Sequence, residues 1–367
     1  MPRRFFAEKR PWSLLKDRIL GNYIVPYLRK VNKLGRPILL VDAFAGPGTY
    51  ADGTDGSPAI LIKAAQQCVP GRYRALFVNA DREQHGSLVS LMEPQLEAGT
   101  VVCIRASAKA VLDQLPASLS TDTVLVYLDP FGIKDFDLQT LEPFLRRQAS
   151  TELLMTIQAP ILHRLASRRA RMRHRVNPRV ATFHQRLTAT FGGTYWRSSL
   201  LAKGPAAARE EELMGAFADH LRSIIPTSYC GWCPVRDSEP GRAKYYFVFW
   251  STHRDAMTLM NDIMLNAYRQ HLYERQTDKT LFQGIEPGHL SSPSASLREV
   301  IEAQVRATPG QSRLDVWVEI LKSHFREYTQ SEYREAVRDL VTRGRLRYAD
   351  TKGTGRLNDD SRLSPTA

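Results

Sequence analysis

An acidic residue and a glycine-rich turn follow the first apolar stretch that is long enough to form a buried strand. Asp42 ends the run Ile38–Val41, and a turn of small residues comes directly after it. Ligands of open parallel sheets bind at the carboxyl ends of the strands, and glycine lets the backbone approach a ligand closely. A carboxylate in this place can bind an amino group. The pattern therefore predicts a ligand site made by Asp42, Phe44, Ala45, Gly46 and Gly48.

The type of turn indicates which nucleotide-like ligand would bind. The sequence lacks the phosphate-binding pattern G-x-x-x-x-G-K-[ST], and it lacks the dinucleotide pattern G-x-G-x-x-G followed at once by a helix. The pattern D-x-F-x-G-x-G favours S-adenosylmethionine, whose amino group Asp42 can bind. Asn79 and Asp81 follow the second strand and are expected at the ribose hydroxyls, and Ser107 follows the third strand and is expected at the adenine. The open alternative is an ordinary strand-to-helix turn of another α/β protein.

The fourth strand-like run ends in the pattern acid, proline, aromatic. Val124–Leu128 is apolar and leads into Asp129, Pro130 and Phe131. Methyl transfer to a planar amine needs acceptors for the N–H groups, which aim the nitrogen lone pair at the methyl; the Asp129 side chain and a nearby carbonyl can provide them. An aromatic ring can stack on a base taken out of its helix. We therefore predict that these three residues position the acceptor, and the alternative is a simple turn at a strand end.

These residues need a sheet that brings the strand ends to one edge. A cover helix is predicted over Trp12–Val31, and strand-like and helix-like stretches then alternate from Ile38 to Gln158, which predicts a parallel sheet with helices on both faces. Ser57 is predicted to cap the first of these helices, with Pro58 in its first turn. The fold class is thus α/β, a Rossmann-like methyltransferase fold.

The remaining stretches complete the domain organisation. Tyr229–Val235 and Lys244–Thr252 predict an antiparallel hairpin that finishes the sheet, and a long helix closes this first domain, residues 1–285. Residues 286–296 are rich in Pro, Gly and Ser and predict a linker. Three helical patterns and a turn-tipped hairpin over residues 297–357 predict a winged-helix domain, and the tail, residues 358–367, is expected to be loose.

The two predicted domains differ in charge. The chain has a net charge of +13, and residues 160–209 contain eleven Lys and Arg with no Asp or Glu. This basic insertion is expected to be helical and to lie beside the end of the fifth strand, which favours contacts with nucleic-acid phosphates over a merely solvated face. The predicted contacts are Arg164, Arg168, Arg169, Arg171, Arg173 and Arg175. The second domain has ten basic and nine acidic residues between Leu297 and Asp350, a balance that suits protein or DNA. Its candidate phosphate-facing side consists of Arg334, Arg338, Arg343, Arg345, Arg347 and Lys352.

Other classes of protein are disfavoured by composition and spacing. No run approaches the roughly 18 to 20 apolar residues of a membrane span, and residues 1–10 lack the apolar core of a secretory signal, so we expect a cytoplasmic protein without membrane contact. Cys230 and Cys233 form one C-x-x-C without the further ligands of a zinc site, so strand cysteines and no metal are expected. Because no Ser/His/Asp set can be assembled, hydrolase chemistry is disfavoured.

The combined motifs resemble one known family. An N-terminal helix containing Lys16, the run Val41–Gly48, Gly56-Ser57-Pro58, Asp129-Pro130-Phe131-Gly132 and the late strand Tyr246–Phe249 together resemble the three-Cys-motif partner proteins, TcmP, over roughly residues 12 to 350. The resemblance implies a methyltransferase-like protein with a winged-helix tail, Lys16 at the cofactor site, and association with a radical-SAM-like protein that carries three cysteines. Asp129-Pro130-Phe131-Gly132 is also similar to the Asp-Pro-Pro-Tyr or Phe motif of amino-group nucleic-acid methyltransferases, but it lacks the second proline.

The sequence thus leads to one principal hypothesis and two alternatives. The principal hypothesis is an S-adenosylmethionine-dependent methyltransferase that acts on DNA or RNA at a base amino group. One alternative is a non-catalytic nucleic-acid-binding partner of a three-Cys-motif protein, which keeps the fold without the reaction. The other is a methyltransferase for a small molecule or peptide, which would not need the basic insertion.

Overall fold

The chain divides into two units, residues 1–252 and residues 253–367. A computed structural model describes residues 11–119, 121–133, 137–166, 171–172, 175–176, 178–236, 242–277, 294–351, 353 and 355–366. The predicted boundary at residue 285 lay too far along the chain, because the long helix that was assigned to the first domain groups with the second unit. Most of the predicted linker, residues 286–293, lies outside the described residues, and a helix already begins at Ser294.

A seven-stranded, mainly parallel sheet is the centre of the first unit. The strands are β1 (Ile38–Asp42), β2 (Tyr73–Val78), β3 (Val101–Ile104), β4 (Thr123–Leu128), β5 (Thr151–Ile157), β8 (Tyr229–Arg236) and β9 (Ala243–Ser251). The spatial order of the sheet is β3-β2-β1-β4-β5-β9-β8, in which the first five strands run parallel and β9 pairs antiparallel with both β5 and β8. This arrangement confirms the predicted Rossmann-like fold with a closing antiparallel hairpin.

The central strands are buried on both faces, as parallel strands covered by helices must be. Every residue of β1, β4 and β5 is buried. This explains why β1 and β4 are apolar over most of their length, whereas β5 also contains Thr151, Glu152 and Thr156. The helices of this unit are α1 (Pro11–Val31), α2 (Ser57–Cys68), α3 (Arg82–Leu91), α4 (Glu93–Glu97), α5 (Ala108–Leu112), α6 (Leu138–Leu145), α7 (Ala159–Leu165), α8 (Pro178–Phe191), α9 (Trp196–Leu200) and α10 (Ala206–Ile224). The predicted cover helix is therefore present as α1.

Part of the basic insertion is not helical. Arg171–Met172 (β6) and Arg175–Val176 (β7) form a short antiparallel pair, so the prediction of a helix was wrong for these residues. Like charges four residues apart repel each other on a helix, and Arg171 and Arg175 would be such a pair. The strand pair avoids this helical spacing. Within the described residues, helix α8 begins at Pro178.

The described residues of the second unit form four helices and a two-stranded sheet. Its elements are α11 (Arg254–Thr277), α12 (Ser294–Ala307), α13 (Arg313–Leu321), α14 (Gln330–Thr342), β10 (Leu346–Ala349) and β11 (Arg362–Pro365). The antiparallel partner of β10 is β11, so the tail that was expected to be loose forms a strand instead. Leu363 is fully buried there, and this apolar anchor explains the order. Three helices followed by a strand pair are the elements of a winged helix, an assignment that stays a prediction.

Two further sequence expectations concern membranes and cysteines. Among the described residues, no helix combines the length and the apolar character that crossing a membrane requires. Cys230 and Cys233 are buried on strand β8. Residues three apart on a strand face opposite sides of the sheet, so these two cysteines do not converge on a common ligand.

Candidate functional site

A cavity of about 320 Å³ opens at the carboxyl ends of β1, β4 and β5. Parallel sheets place their ligand sites at this edge, and the volume lies within the range of small-molecule pockets. Its walls come from α1, the loop after β1, the ends of β4 and β5, and the start of β9. The lining residues are Ser13, Lys16, Asp17, Phe44, Gly46, Pro47, Gly48, Thr49, Tyr50, Gly56, Ser57, Pro58, Asp129, Pro130, Phe131, Thr156, Gln158, Pro160, Lys244 and Tyr245.

Asp129 lies in this cavity and is held by two side chains. The Lys16 ammonium donates to Oδ2, and the Thr156 hydroxyl donates to Oδ1 over 2.6 Å. A carboxylate offers about four lone-pair positions, so each oxygen retains one for a further donor. Burial alone would lower the pKa of Lys16, but the attraction of Asp129 and of further acidic groups raises this pKa well above 10.5. Lys16 is therefore a permanent cation that fixes the carboxylate.

Pro130 and Phe131 form the rim beside this carboxylate. The Gln158 side-chain amide donates to the Pro130 carbonyl over 3.2 Å and ties the end of β4 to the end of β5. Phe131 is 46% exposed, one of five large apolar side chains with such exposure among the described residues. An exposed aromatic ring at the mouth of a polar cavity is suited to stacking on a planar ligand.

The glycine turn after β1 is stabilised by hydrogen bonds to the buried carboxylate of Asp42. Asp42 is fully buried, accepts from the Ser57 hydroxyl over 2.6 Å and from the Phe44 N–H over 3.1 Å, and does not line the cavity. Burial raises the pKa of Asp42 to about 7, while these two hydrogen bonds partly oppose the rise. The helix cap is Gly56 and not Ser57 as predicted, because the Ser57 hydroxyl is drawn to the buried carboxyl group.

Gly48 shows why this turn needs glycine. Its φ is +93°, a backbone conformation that L side chains rarely adopt, and a Cβ there would lie 2.3 Å from Leu91 Cδ2. Its carbonyl accepts from the Gly56 N–H over 2.8 Å, which closes the loop. The result is a wall of bare backbone along one side of the cavity.

The residues that were predicted at the ribose and adenine lie at neighbouring strand ends and do not line this cavity. Asn79 donates to the Ala45 carbonyl over 2.5 Å and accepts from the Asp81 N–H over 2.7 Å. Asp81 caps α3 through the N–H groups of its first turn. Ser107 caps α5 in the same way. Ala45 thus belongs to the scaffold of the turn, and the roles of these four residues at the cofactor stay predictions.

The predicted phosphate contacts are only partly described. Arg164 is exposed at the end of α7, and Arg171 and Arg175 lie in the β6–β7 pair. Arg168, Arg169 and Arg173 lie outside the described residues. In the second unit, three members of the candidate phosphate-facing side form ion pairs with acidic residues: Arg334 with Asp359, Arg343 with Asp339, and Arg345 with Glu302.

Several lining residues were missed by the sequence reasoning. Thr156 and Gln158 end β5, and the pairing of β5 with β4 brings them beside Asp129. Lys244 and Tyr245 begin β9, which runs antiparallel to β5 and so starts at the same edge. The predicted hairpin could have indicated Lys244 and Tyr245, because its second strand begins at the edge of the sheet where the parallel strands end. Asp17, next to Lys16 on α1, had no comparable signal.

The cavity fits the groups of S-adenosylmethionine. Lys16 can face a carboxylate, and Asp17 and Asp129 can face an amino group and a sulfonium, while Gly46 and Gly48 expose their backbone to the cavity. A ligand with both signs of charge needs such a mixed lining. The residues that would hold it are therefore those of α1, of the glycine turn and of the end of β4.

Comparison with known proteins adds distant likenesses. No family model matches the chain, nor does any curated protein. Among solved structures, a methyltransferase from Geobacter sulfurreducens is 12% identical, with 62% of this chain and 77% of the other covered and a TM-score of 0.30. The cofactor-bound Rv0187 from MTB is 10% identical, with 63% and 78% covered and a TM-score of 0.34. Likenesses with such low TM-scores carry no argument, and the fold assignment rests on the strand order of the sheet.

Proposed function

We propose that this protein is an S-adenosylmethionine-dependent methyltransferase that acts on an amino group of a nucleic-acid base. The observation that carries the proposal is the meeting of three features in one cavity: the glycine turn, the carboxylate of Asp129 held by Lys16 and Thr156, and the exposed ring of Phe131. Each feature alone is common in α/β proteins. Together they provide a place for a charged cofactor, an acceptor for amine N–H groups, and a surface for a planar ring.

The side chains of the cavity would position the acceptor amine. Asp129 keeps one lone-pair position on each oxygen, so it can accept an N–H without losing Lys16 or Thr156. The bound cofactor would supply the electrophilic methyl group. Lys16 and Thr156 act as positioning residues, because they fix the carboxylate before the acceptor arrives, and such preorganisation accounts for a large part of catalysis without a covalent intermediate.

Two features support a nucleic-acid acceptor: the positive charge of residues 160–209 and the exposed Phe131 ring at the rim of the cavity. Eleven basic residues without an acidic one lie in residues 160–209, and the segment begins with α7, directly after the end of β5. Phosphate contacts give affinity without sequence information. Phe131 at the rim would then stack on the base that enters, a contact that every base can make.

The test is transfer of tritiated methyl from S-adenosylmethionine to DNA and RNA. The native protein is expected to label one of them, and Asp129→Asn is expected to lower the turnover by at least a hundredfold, a larger factor than its loss of cofactor affinity. Asp219→Asn serves as the matched control, because Asp219 is 74% exposed on α10. Equal turnover in Asp129→Asn and Asp219→Asn would refute the assigned role of Asp129.

A second function is favoured by one observation. Both oxygens of Asp129 already accept a hydrogen bond from the protein, which is also what a purely structural carboxylate would show. In that case the chain would be a non-catalytic nucleic-acid-binding partner of a three-Cys-motif, radical-SAM-like protein, as the resemblance to TcmP implies. This function predicts nucleic-acid binding that survives Asp129→Asn and no methyl transfer by the native protein alone.

A further inference from the structure

A second cavity of about 290 Å³ lies beside the first and has a different lining. Its walls are formed by His163, Ala166, Leu200, Leu201, Ala202, Arg209 and Arg242. Among these described residues, two arginines and a histidine carry polar groups, and none is acidic. Cationic and apolar walls of this kind are suited to an anion.

Arg209 has hydrogen-bonding capacity that the described residues do not use. Its Nη1 donates to the Leu200 carbonyl over 2.7 Å, while its Nε is buried without a hydrogen-bond partner in the described part of the chain. A buried N–H donor without a partner is unfavourable. Arg242 is exposed and makes no ion pair with any described residue. Arg209 and Arg242 both line the cavity, so their guanidinium groups can meet a ligand there.

His163 is held by a contact with a buried carboxylate. Its Nε2 lies 2.6 Å from Glu210 Oε1, and Glu210 is 1% exposed and also accepts from the Tyr246 hydroxyl over 3.2 Å. Glu210 is therefore engaged by two partners and does not line the cavity. Within the described lining, the positive charge comes from Arg209 and Arg242.

Two elements connect this cavity with the first one. On α7, Pro160 lines the first cavity and His163 lines the second, one helical turn further. Arg242, just before β9, lines the second cavity, and Lys244, within β9, lines the first. Residues two apart on an extended chain face the same side, about 6.6 Å from each other. The two cavities are thus near enough for neighbouring groups of one polymer to occupy both.

The geometry points to a phosphate-binding subsite at Arg209 and Arg242, which holds a backbone phosphate next to the nucleotide whose base enters the first cavity. This inference rests on the proposed function for the identity of the polymer. The phosphate chemistry itself does not depend on it, because planar guanidinium groups bind phosphate oxygens in pairs. Inorganic phosphate or a mononucleotide would present the same group.

The experiment measures binding of three probes without S-adenosylmethionine: inorganic phosphate, a nucleoside monophosphate, and a labelled single-stranded oligonucleotide of mixed sequence. Arg209→Gln is expected to weaken oligonucleotide binding about tenfold. It should also lower the slope of log K against log salt by about 0.7, the loss of one phosphate contact on a single strand. Arg242→Gln should also weaken oligonucleotide binding and lower the salt slope. This substitution removes no contact within the described structure, so we expect the variant to fold as the native protein does. Arg72→Gln is the matched control, because Arg72 is exposed just before β2, at the amino ends of the parallel strands.

The outcomes separate the subsite from the proposed function. Loss of oligonucleotide and phosphate binding in both variants supports the subsite with a polymer as its source. Loss of phosphate and mononucleotide binding alone supports the subsite and assigns it to a free phosphate. If Arg209→Gln and Arg242→Gln bind all probes as Arg72→Gln does, the subsite is refuted. Absence of methyl transfer together with intact, Arg209-dependent phosphate binding would count against the proposed function only.

Discussion

The ion pair between Lys16 and Asp129 should couple these two residues strongly. We expect Lys16→Met and Asp129→Asn each to lower the free energy of unfolding of the first unit, and the double variant to be about as stable as either single one. Removal of Lys16 leaves a partly buried carboxylate without its counter-ion. Removal of the Asp129 charge leaves a buried ammonium. The double variant leaves neither.

The size of the effect follows from burial. The Lys16 side chain is 11% exposed and the Asp129 side chain 28%, so the pair lies between two known limits. Exposed pairs contribute about 0.2–1 kcal/mol, and removal of one partner from a fully buried pair costs about 3–5 kcal/mol. We therefore expect about 2–3 kcal/mol for each single variant and a coupling free energy of about 2 kcal/mol.

The assay is urea unfolding followed by tryptophan fluorescence. The two units can unfold in separate transitions, so all variants are made in a Trp317→Phe background, which confines the remaining tryptophans to the first unit. The matched control cycle is Lys63→Met with Asp55→Asn, a surface pair whose Lys63 is 68% exposed; its coupling should stay below about 1 kcal/mol. Additive effects of Lys16→Met and Asp129→Asn would refute the reasoning.

Three further predictions concern the acceptor, the rim and the buried acids. Thr156→Val removes the hydroxyl 2.6 Å from Asp129 Oδ1 and should lower kcat about tenfold with little change in KM for the cofactor; an unchanged kcat in steady-state kinetics would contradict a positioning role. Phe131→Ala should weaken oligonucleotide binding about tenfold, as loss of one stacked base implies, and leave cofactor affinity intact, whereas equal losses by fluorescence anisotropy and calorimetry would place Phe131 at the cofactor instead. Burial raises the pKa of Asp42 and of Glu152 to about 7, so the folded state binds protons that the unfolded state has lost. The free energy of unfolding should therefore fall between pH 4 and pH 7, by up to about 4 kcal/mol for each carboxyl group, and Asp42→Asn and Glu152→Gln should each flatten that fall in thermal denaturation.

The sheet was predictable because its strands are short apolar runs that end in turns or polar residues. Strands β1 and β4 are buried on both faces, and their sequences are therefore apolar over most of their length. The hairpin of β8 and β9 was equally clear from its two strand-like runs. The tail was misjudged because Leu363 is a single apolar residue among polar ones, and its burial depends on tertiary contacts that periodicity does not contain.

The site was only partly predictable. The motif residues Asp129, Gly46 and Gly48 line the cavity, because strand ends and turns are local features. Asp42, in contrast, is fully buried behind the turn. Its carboxylate accepts from the Ser57 hydroxyl and stabilises the loop instead of facing a ligand, and the position of Ser57 relative to Asp42 could not be read from the sequence. Thr156 and Lys244 come from strands that meet Asp129 only through sheet pairing, so their contribution depends on the strand order.

The central claim is that the cavity beside the glycine turn binds S-adenosylmethionine. Titration calorimetry with S-adenosylmethionine on the native protein, Gly48→Ala and Gly53→Ala tests it most directly. Both glycines have positive φ, +93° and +81°, but a Cβ at Gly53 meets nothing within 4 Å. A Cβ at Gly48, which lines the cavity, would lie 2.3 Å from Leu91 Cδ2, so that this side chain or the turn itself must move. We predict a Kd in the micromolar range, about −8 kcal/mol, with at least a tenfold loss in Gly48→Ala and no loss in Gly53→Ala. The same affinity in both variants, or no binding to the folded native protein, would contradict the account.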